Sequence, residues 1–343
     1  MKILAIESSC DDTSAAILEE TTGKIQILSE KTASQIDVHK KYGGVIPEVA
    51  GREHAKNILP LIEEVCARQS KPDAIAVTTN PGLITGLMVG ISAAQNLSYL
   101  WDIPVISVNH IEGHLHSPFL ESKLDFENQE MPILALTVSG GHTEIILIKN
   151  WGEYEKIGGT VDDAAGETFD KVAKMLGFEY PGGPKISKFA EEGNRKAIDF
   201  PRPMIKKDNY NMSFSGLKTA ALYWLRDYKE NNPTEEVRDL VMHDFCASIE
   251  EAIVDTLVHK TIRAARNFKP KSIFLVGGVS ANKRLREKLE KGAEALGIPC
   301  VLANPKYSMD NAAMIGAAAI RKAKKGAFTP WQELEPSPKS DLY

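Results

Sequence analysis

The sequence predicts an α/β protein of two related lobes, on three observations. A sixteen-residue pattern occurs twice without a gap: Ile3–Leu18 lies over Ile133–Ile148, each copy an apolar run, a stretch of small and polar residues, and a second apolar run. Each copy reads as a β-hairpin, with Ser9 matched to Ser139 and Thr13 to Thr143 inside the turns, and shared register favours duplication over two unrelated buried hairpins. Strand-like and helix-like runs alternate through both halves, which implies mixed sheets covered by helices. A length of 343 residues is long for one core and suits two domains.

In the first half the strands are expected at Ile3–Ile6, Ser14–Leu18, Ile25–Ser29, Ala74–Thr78 and Val105–Val108, and helices at His54–Arg68 and Leu87–Leu100. The second of these helices is rich in small residues (Gly90, Ser92, Ala93, Ala94), so another helix could approach it closely. In the second half strands are expected at Ile133–Val138, Thr143–Ile148, Ser272–Val276 and Cys300–Leu302. Helices are expected there at Thr168–Met175, Ser215–Asp227, Glu235–Ala265, Arg284–Leu296 and Asn311–Lys324. The polar stretch Leu120–Met131 reads as an interlobe linker, Gly193–Met212 as an insertion or mobile loop, and Pro330–Tyr343 as a loosely held tail. The expected division is a first lobe of residues 1–128, joined by the C-terminal helix and tail (312–343), and a second lobe of residues 129–311.

Composition narrows the function. The formal net charge of −5 is not that of a protein that holds RNA unaided. Local basic clusters at Arg202–Lys207, Lys283–Arg286 and Arg321–Lys325 read as solvated faces, so an RNA partner would need help from other subunits. Four scattered cysteines (Cys10, Cys66, Cys246, Cys300) form no CxxC pair, which fits a reducing cytoplasm. Met1-Lys2 runs straight into a strand, and no apolar run is long enough to span a bilayer, so neither a signal peptide nor a membrane is expected.

Three constellations could carry chemistry. In His110-Ile-Glu-Gly-His114, a helix would bring both rings to one face, one turn apart, where they can share a metal. This is not the zincin motif, because Glu112 points away from the pair. A third ligand should be a carboxylate from elsewhere, with Asp310 the best candidate; a structural His pair and an N-capping Asp310 fit the spacing equally. The acidic run Asp162–Lys171 opens a helix: Asp162 and Asp163 could simply complement its dipole, whereas Asp170 is placed to accept hydrogen bonds from a ribose. Glycine turns at Val138–His142, Gly182–Gly183 and Gly277–Asn282 suit nucleotide binding at strand ends.

Taken together, Glu7–Thr13, His110–His114, Val138–Thr143, Asp162–Lys171, Tyr180–Pro184, Ser213–Thr219 and Gly277–Asn282 resemble the TsaD/Kae/OSGEP family, from Met1 to about Arg321. The resemblance implies the actin/Hsp70/hexokinase-like (ASKHA) fold, two duplicated lobes with a central nucleotide cleft. It implies a tRNA N6-adenosine threonylcarbamoyltransferase that takes threonylcarbamoyl-adenylate as donor and releases AMP. It also implies that His110, His114 and Asp310 hold one divalent metal, iron or zinc. Thr137, Val138, Ser139, Gly140 and Gly141 would lie along the phosphate and acyl part of the ligand, and Asp170, Gly183 and Asn282 against ribose and adenine. Asp12, Ser139 and His142 are the candidate catalytic residues; the family usually has Glu where this chain has Asp12. An adenine nucleotide (the adenylate, AMP or ATP) would fill the cleft. The implied partners are tRNA, a TsaB-like paralogue docked through the N-lobe helices, a TsaE-like ATPase and a TsaC-like adenylate synthase.

The chemistry stands on its own terms. An aryl amine is a poor nucleophile and a carbamoyl–phosphate anhydride a good acyl donor, so placement and charge stabilisation suffice. No Ser–His–Asp triad is visible, so no covalent acyl-enzyme is expected. A small-molecule kinase or an actin-like ATPase of the same fold stays open, although neither explains the His pair.

Overall fold

The computed structural model describes residues 1–232 and 239–343. The first half forms β1 (Lys2–Glu7), β2 (Asp12–Thr21), β3 (Lys24–Ser34), α1 (Ile36–His39), α2 (Pro47–Cys66), β4 (Ala74–Asn80), α3 (Ile84–Trp101), β5 (Val105–Asn109) and α4 (His110–His116). The second forms β6 (Ile133–Val138), β7 (Thr143–Asn150), β8 (Glu153–Gly159), α5 (Ala165–Met175), α6 (Gly183–Ala190), α7 (Ser215–Asn231), α8 (Asp239–Phe268), β9 (Ser272–Val276), α9 (Lys283–Glu294), β10 (Cys300–Leu302) and α10 (Ala312–Lys324). The expected start of the long helix at Glu235 lies outside the described residues.

The chain divides into two compact units, Met1–Gln129 with Ala303–Tyr343, and Glu130–Leu302. Residues 303–311, expected with the second lobe, therefore pack with the first, and Asp310 with them. Each unit is built on a five-stranded mixed sheet, in the orders β3-β2-β1-β4-β5 and β8-β7-β6-β9-β10. The strands correspond one to one. So does the register: Ile3 pairs Leu18 and Leu4 pairs Ile17 in the first hairpin, as Ile133 pairs Ile148 and Leu134 pairs Leu147 in the second. The repeat in the sequence is a repeat in the hydrogen bonding.

In the first unit, Leu4, Ile6, Ile17, Ile75 and Val77 form a core with Ile58 and Ile62 of α2 and Leu87 and Ile91 of α3. Alternate residues of a strand point to opposite faces, and α10 packs on β1 and β2 as well. With both faces covered, Ile3–Ile6 is buried throughout and reads as an unbroken apolar run. In the second unit Leu134, Leu136 and Val138 lie in one core with Phe169, Phe214, Phe245 and Leu285.

Three expectations of looseness are corrected. The tail is docked: Leu334 is buried in the first core, the Ser337 N–H donates to the Thr79 carbonyl (2.9 Å), and Asn109 donates to Ser340 and Asp341 (both 3.0 Å). The segment Leu120–Met131 is no free linker, since Leu120 and Phe126 are buried and the Arg321 guanidinium lies 4.1 Å from the Phe126 ring centre. The 193–212 insertion is tied to α8 by Arg202 on Asp255 (2.9 Å) and by the Lys260 ammonium on the Lys207 and Asn209 carbonyls (3.0 and 2.7 Å). The small-residue stripe of α3 also turns inward: Ala94 is fully buried, and Gly86 and Gly90 make room for Ser8.

Candidate metal centre and nucleotide-binding turns

Asn109 ends β5 and caps α4, its side chain accepting from the N–H groups of Ile111 (2.9 Å) and Glu112 (3.3 Å). The cap starts a helix at His110, which puts His110 and His114 on one face with ring centres 4.7 Å apart. Gly113 lies against α10: a side chain there would meet Ile315 Cδ1 at 2.7 Å. That approach brings the start of α10 to the His pair. The cap of α10 is Asn311, which accepts from the Met314 N–H at 2.8 Å. Asp310 is therefore not the cap. Its Oδ1 stands 3.4 Å from His110 Nε2 and 3.2 Å from His114 Nε2.

The three groups fit a divalent cation. Their ligand atoms lie within 4.8 Å of one another, and metal–ligand bonds of about 2.0–2.2 Å in a tetrahedral site place ligand atoms about 3.4 Å apart. His114 is fully buried, and neither ring nitrogen has a hydrogen-bond partner among the described residues; Nε2 lies 3.2 Å from Asp310 Oδ1. A buried imidazole left so is costly unless something else takes its lone pair. Behind His110, Nδ1 lies 3.1 Å from Glu7 Oε2 and 3.1 Å from Ser9 Oγ. Glu7 in turn accepts from the Ser9 N–H (2.6 Å) and Thr78 Oγ1 (2.7 Å). A carboxylate behind a ligating histidine fixes its tautomer and raises its basicity.

In the metal-free group the two rings differ, and a metal bound there would displace the His110 proton. Burial alone would push His110 down, but Asp310 and Glu7 on either side hold it well above the ordinary imidazole value. Burial pushes His114 below its ordinary value and keeps it neutral, as a ligand must be. Burial would raise Asp310, yet the two rings hold its carboxyl well below the usual range. Glu112 is not part of this group; its carboxylate lies 3.7 Å from Lys322.

The first hairpin turn flanks the centre. Burial pushes the Asp12 carboxyl up to about 7; the Ser34 hydroxyl opposes this, while the charges of Asp310, Asp11 and Glu7 add to it. Its Oδ1 is buried with no hydrogen-bond partner among the described residues. Burial, reinforced by Asp11, pushes the Cys10 thiol well above its ordinary value, which disfavours the thiolate. A network missed in the sequence holds this turn from behind: His54 Nδ1 takes Thr13 Oγ1 at 2.8 Å, while His54 Nε2 meets the Cys10 carbonyl at 3.0 Å. The buried position of His54 at helical spacing was the signal available for it.

In the second unit the matching turn is Val138–Thr143. The Ser139 N–H donates to the His142 carbonyl (2.8 Å) and the His142 N–H to Ser139 Oγ (3.1 Å). These two amides are spent closing the turn. The Gly140 and Gly141 N–H groups make no hydrogen bond among the described residues, and a Cβ at either position would meet nothing within 4 Å. Gly166, at the start of α5, lets the turn lie against that helix: a Cβ there would meet the Ser139 carbonyl oxygen at 2.5 Å. Thr137 Oγ1, near the end of β6, is buried without a hydrogen-bond partner among the described residues.

The remaining predicted residues are held by hydrogen bonds within the second unit. Asp170 Oδ1 accepts from the Gly182 (2.7 Å) and Gly183 (3.3 Å) N–H groups and so fixes the Pro181–Pro184 turn. Asn282 caps α9 by accepting from the Leu285 N–H (2.8 Å), and its amide donates to Ser187 Oγ (2.8 Å) and Glu250 Oε1 (2.7 Å). Its side chain is thus committed within the protein. Asp162 caps a helix other than the one it precedes: it accepts from the Phe214 N–H (2.8 Å) and the Ser213 and Ser215 hydroxyls (2.5 and 2.6 Å) at the start of α7. Asp163 pairs with Lys171 and Lys218 (2.9 and 2.5 Å).

One α/β topology repeated in two units is the duplicated fold of the actin/Hsp70/hexokinase-like class. Solved structures share it: nucleotide-bound full-length HypF matches 96% of this chain at a TM-score of 0.59 and 14% identity. This chain spans 47% of HypF. Component A of the Acidaminococcus fermentans (R)-2-hydroxyglutaryl-CoA dehydratase matches 94% of this chain and 99% of its own at 0.52 and 14%. The chain belongs to the TsaD family, whose model, described as tRNA N6-adenosine threonylcarbamoyltransferase, matches residues 26–317. Proteins of that name from Kosmotoga olearia and Bacillus subtilis are each 45% identical to it, over 334 residues (96% of both chains) and 336 residues (96% and 93%). The chain is therefore a transferase that modifies tRNA.

Proposed function

We propose that the chain moves the threonylcarbamoyl group of threonylcarbamoyl-adenylate onto the N6 amine of the adenosine 3′ of the tRNA anticodon, with release of AMP. The observation that carries this reading is the buried His110–His114–Asp310 centre, which a kinase or a filament-forming ATPase of the same fold does not need. N6 attacks the carbamoyl carbon, the bond from that carbon to the phosphate oxygen breaks, and the N6 proton leaves with solvent or the departing phosphate. Fe2+ or Zn2+ held by the three ligands would polarise an oxygen of the acyl phosphate. Glu7 and Ser9 hold His110 in place for that role.

The second unit carries nucleotide recognition. Gly140 and Gly141 present N–H groups to the phosphate, while Ser139 and His142 order the turn and the Ser139 hydroxyl hydrogen remains free to donate. Thr137 and Val138 line the acyl side. Asp170 and Gly183 shape the ribose subsite, with Asn282 behind it. Asp12 orients a phosphate-side water or a neighbouring group. No residue forms an acyl intermediate. Trapping a threonylcarbamoyl adduct on Cys10 contradicts this.

The partners belong to the same proposal: tRNA, a TsaB-like paralogue, a TsaE-like ATPase and a TsaC-like synthase that supplies the adenylate, in the cytoplasm. No helix among the described residues is long and apolar enough to cross a membrane. The exposed side chains Leu59 of α2 and Ile84, Met88, Tyr99 and Leu100 of α3 are the surface offered to the paralogue. The test incubates the assembled complex with synthetic threonylcarbamoyl-adenylate and unmodified tRNA. AMP and threonylcarbamoyladenosine appearing in equal amounts is the expected result. ATP turnover with no modified nucleoside returns the function to the kinase or ATPase readings.

A further inference from the structure

Between Thr256 and Arg286 the chain carries eight Lys and Arg and no Asp or Glu, in a protein of net charge −5. Five of the eight, Lys260, Arg263, Arg266, Lys269 and Lys271, fall on the last turns of α8 and the turn after it. Arg266, Lys269 and Lys271 are exposed, and none has a side-chain partner among the described residues. Lys260 differs. It is fully buried, and its ammonium meets two backbone carbonyls, those of Lys207 and Asn209.

That buried ammonium clamps the 202–210 loop along α8. Arg263 reinforces it through the Lys207 carbonyl (2.6 Å) and the Asp208 carboxylate, and Asn267 donates to the Tyr210 hydroxyl (2.6 Å). Lys206 and Lys207 are exposed on this fixed backbone. A groove of about 480 Å³ opens beside it, with His259, Arg263, Arg266 and Lys288 among its lining residues. The acids nearby are already spent: Asp255 on Arg202 and Lys288, and Asp208 on Arg263.

We infer that Lys206, Lys207, Arg266, Lys269 and Lys271 form a docking surface for the phosphate backbone of the tRNA substrate. The inference rests on the tRNA-acceptor reading above. Cations spread along a helix end and a pinned loop suit a chain of phosphates rather than one small anion, which needs donors converging on a point. Each phosphate neutralised releases counterions, so the contact draws its strength from charge and weakens with salt.

The test measures binding of an unmodified tRNA transcript to the full chain with its partner subunits, across a salt series. The variants are Arg266→Glu with Lys269→Glu, and Lys206→Glu with Lys207→Glu. Lys149→Glu with Lys229→Glu, exposed lysines outside the patch, is the matched control. Each patch pair is expected to weaken binding more than about 10-fold and to lower the salt slope by about two, one for each phosphate no longer neutralised. The control pair and the metal content are expected to stay as in the unaltered protein. Patch variants that bind as tightly as the unaltered protein, while that protein binds and modifies tRNA, overturn the surface and leave the function intact. Equal weakening in the control pair overturns it as well. Loss of a partner subunit with tRNA binding preserved overturns it in favour of an acidic protein. An unaltered complex that neither binds nor modifies tRNA sinks the functional reading and this inference together.

Discussion

His114 Nε2 lies 3.2 Å from Asp310 Oδ1, yet neither nitrogen of that buried ring has a hydrogen-bond partner among the described residues. A histidine kept for structure alone would spend at least one nitrogen on a neighbour, as His54 does with Thr13 and the Cys10 carbonyl. Asp310 is likewise released from helix capping by Asn311. Both groups are arranged as a cation would need them.

Glu7→Gln tests the support behind the ligands. It removes the charge that steadies His110 and leaves either the Ser9 N–H or the Thr78 hydroxyl without its acceptor. Metal affinity is expected to fall about 10- to 100-fold, read by competition with a chelator of known strength. Unchanged affinity in a folded variant removes Glu7 from the account.

Two substitutions on α3 separate core from partner surface. Ala94 is fully buried, so Ala94→Glu is expected to leave little folded protein. Met88 is 52% exposed, so Met88→Glu is expected to fold normally and lose the paralogue in co-elution. Co-elution of a folded Met88→Glu with its partner counts against this face.

Glycines of the second-unit turn should differ sharply. Gly166→Ala drives a methyl into the Ser139 carbonyl, whereas the space at Gly140 is open. Calorimetry with AMP is expected to show at least a 10-fold loss for Gly166→Ala and a much smaller change for Gly140→Ala. The reverse order places the nucleotide elsewhere.

Acid sensitivity follows from Glu251. Burial would raise its carboxyl, but Arg284 (2.8 and 2.9 Å) and Lys288 (2.7 Å) outweigh it and hold it down at about 2. A value lowered on folding contributes stability that is complete above the ordinary value near 4.5 and is lost as pH falls towards 2. Glu251→Gln is expected to cost about 2 kcal/mol at neutral pH, with the gap in urea midpoints closing as the pH falls through that window. A gap that does not depend on pH contradicts the assignment.

The duplicated hairpins were legible because their apolar runs alternate with nothing: strands covered on both faces need no polar side, and the register of Ile3 with Leu18 recurs at Ile133 with Ile148. β8 was missed because Glu153-Tyr-Glu-Lys, at the start of an edge strand, has polar residues on both faces and no apolar alternation. α6 was missed because Pro181-Gly-Gly-Pro184 looks like a turn, although Pro184 stands in the first helical turn where proline costs nothing. The metal ligands were visible as residue types; their geometry was not, since Asp310 reaches His110 across 200 residues through the packing of Gly113 on Ile315. Nor did sequence show that Asp162 caps a helix 53 residues on, or that Asn282 is tied to Glu250.

The most direct test of the central claim measures metal content and threonylcarbamoyladenosine formation together, for the unaltered complex and for Asp310→Ala. The tRNA is digested and its nucleosides are read by mass spectrometry. The account predicts about one divalent ion per chain and modified nucleoside for the unaltered protein, and the loss of both for a folded Asp310→Ala. Full product from Asp310→Ala without bound metal would contradict it.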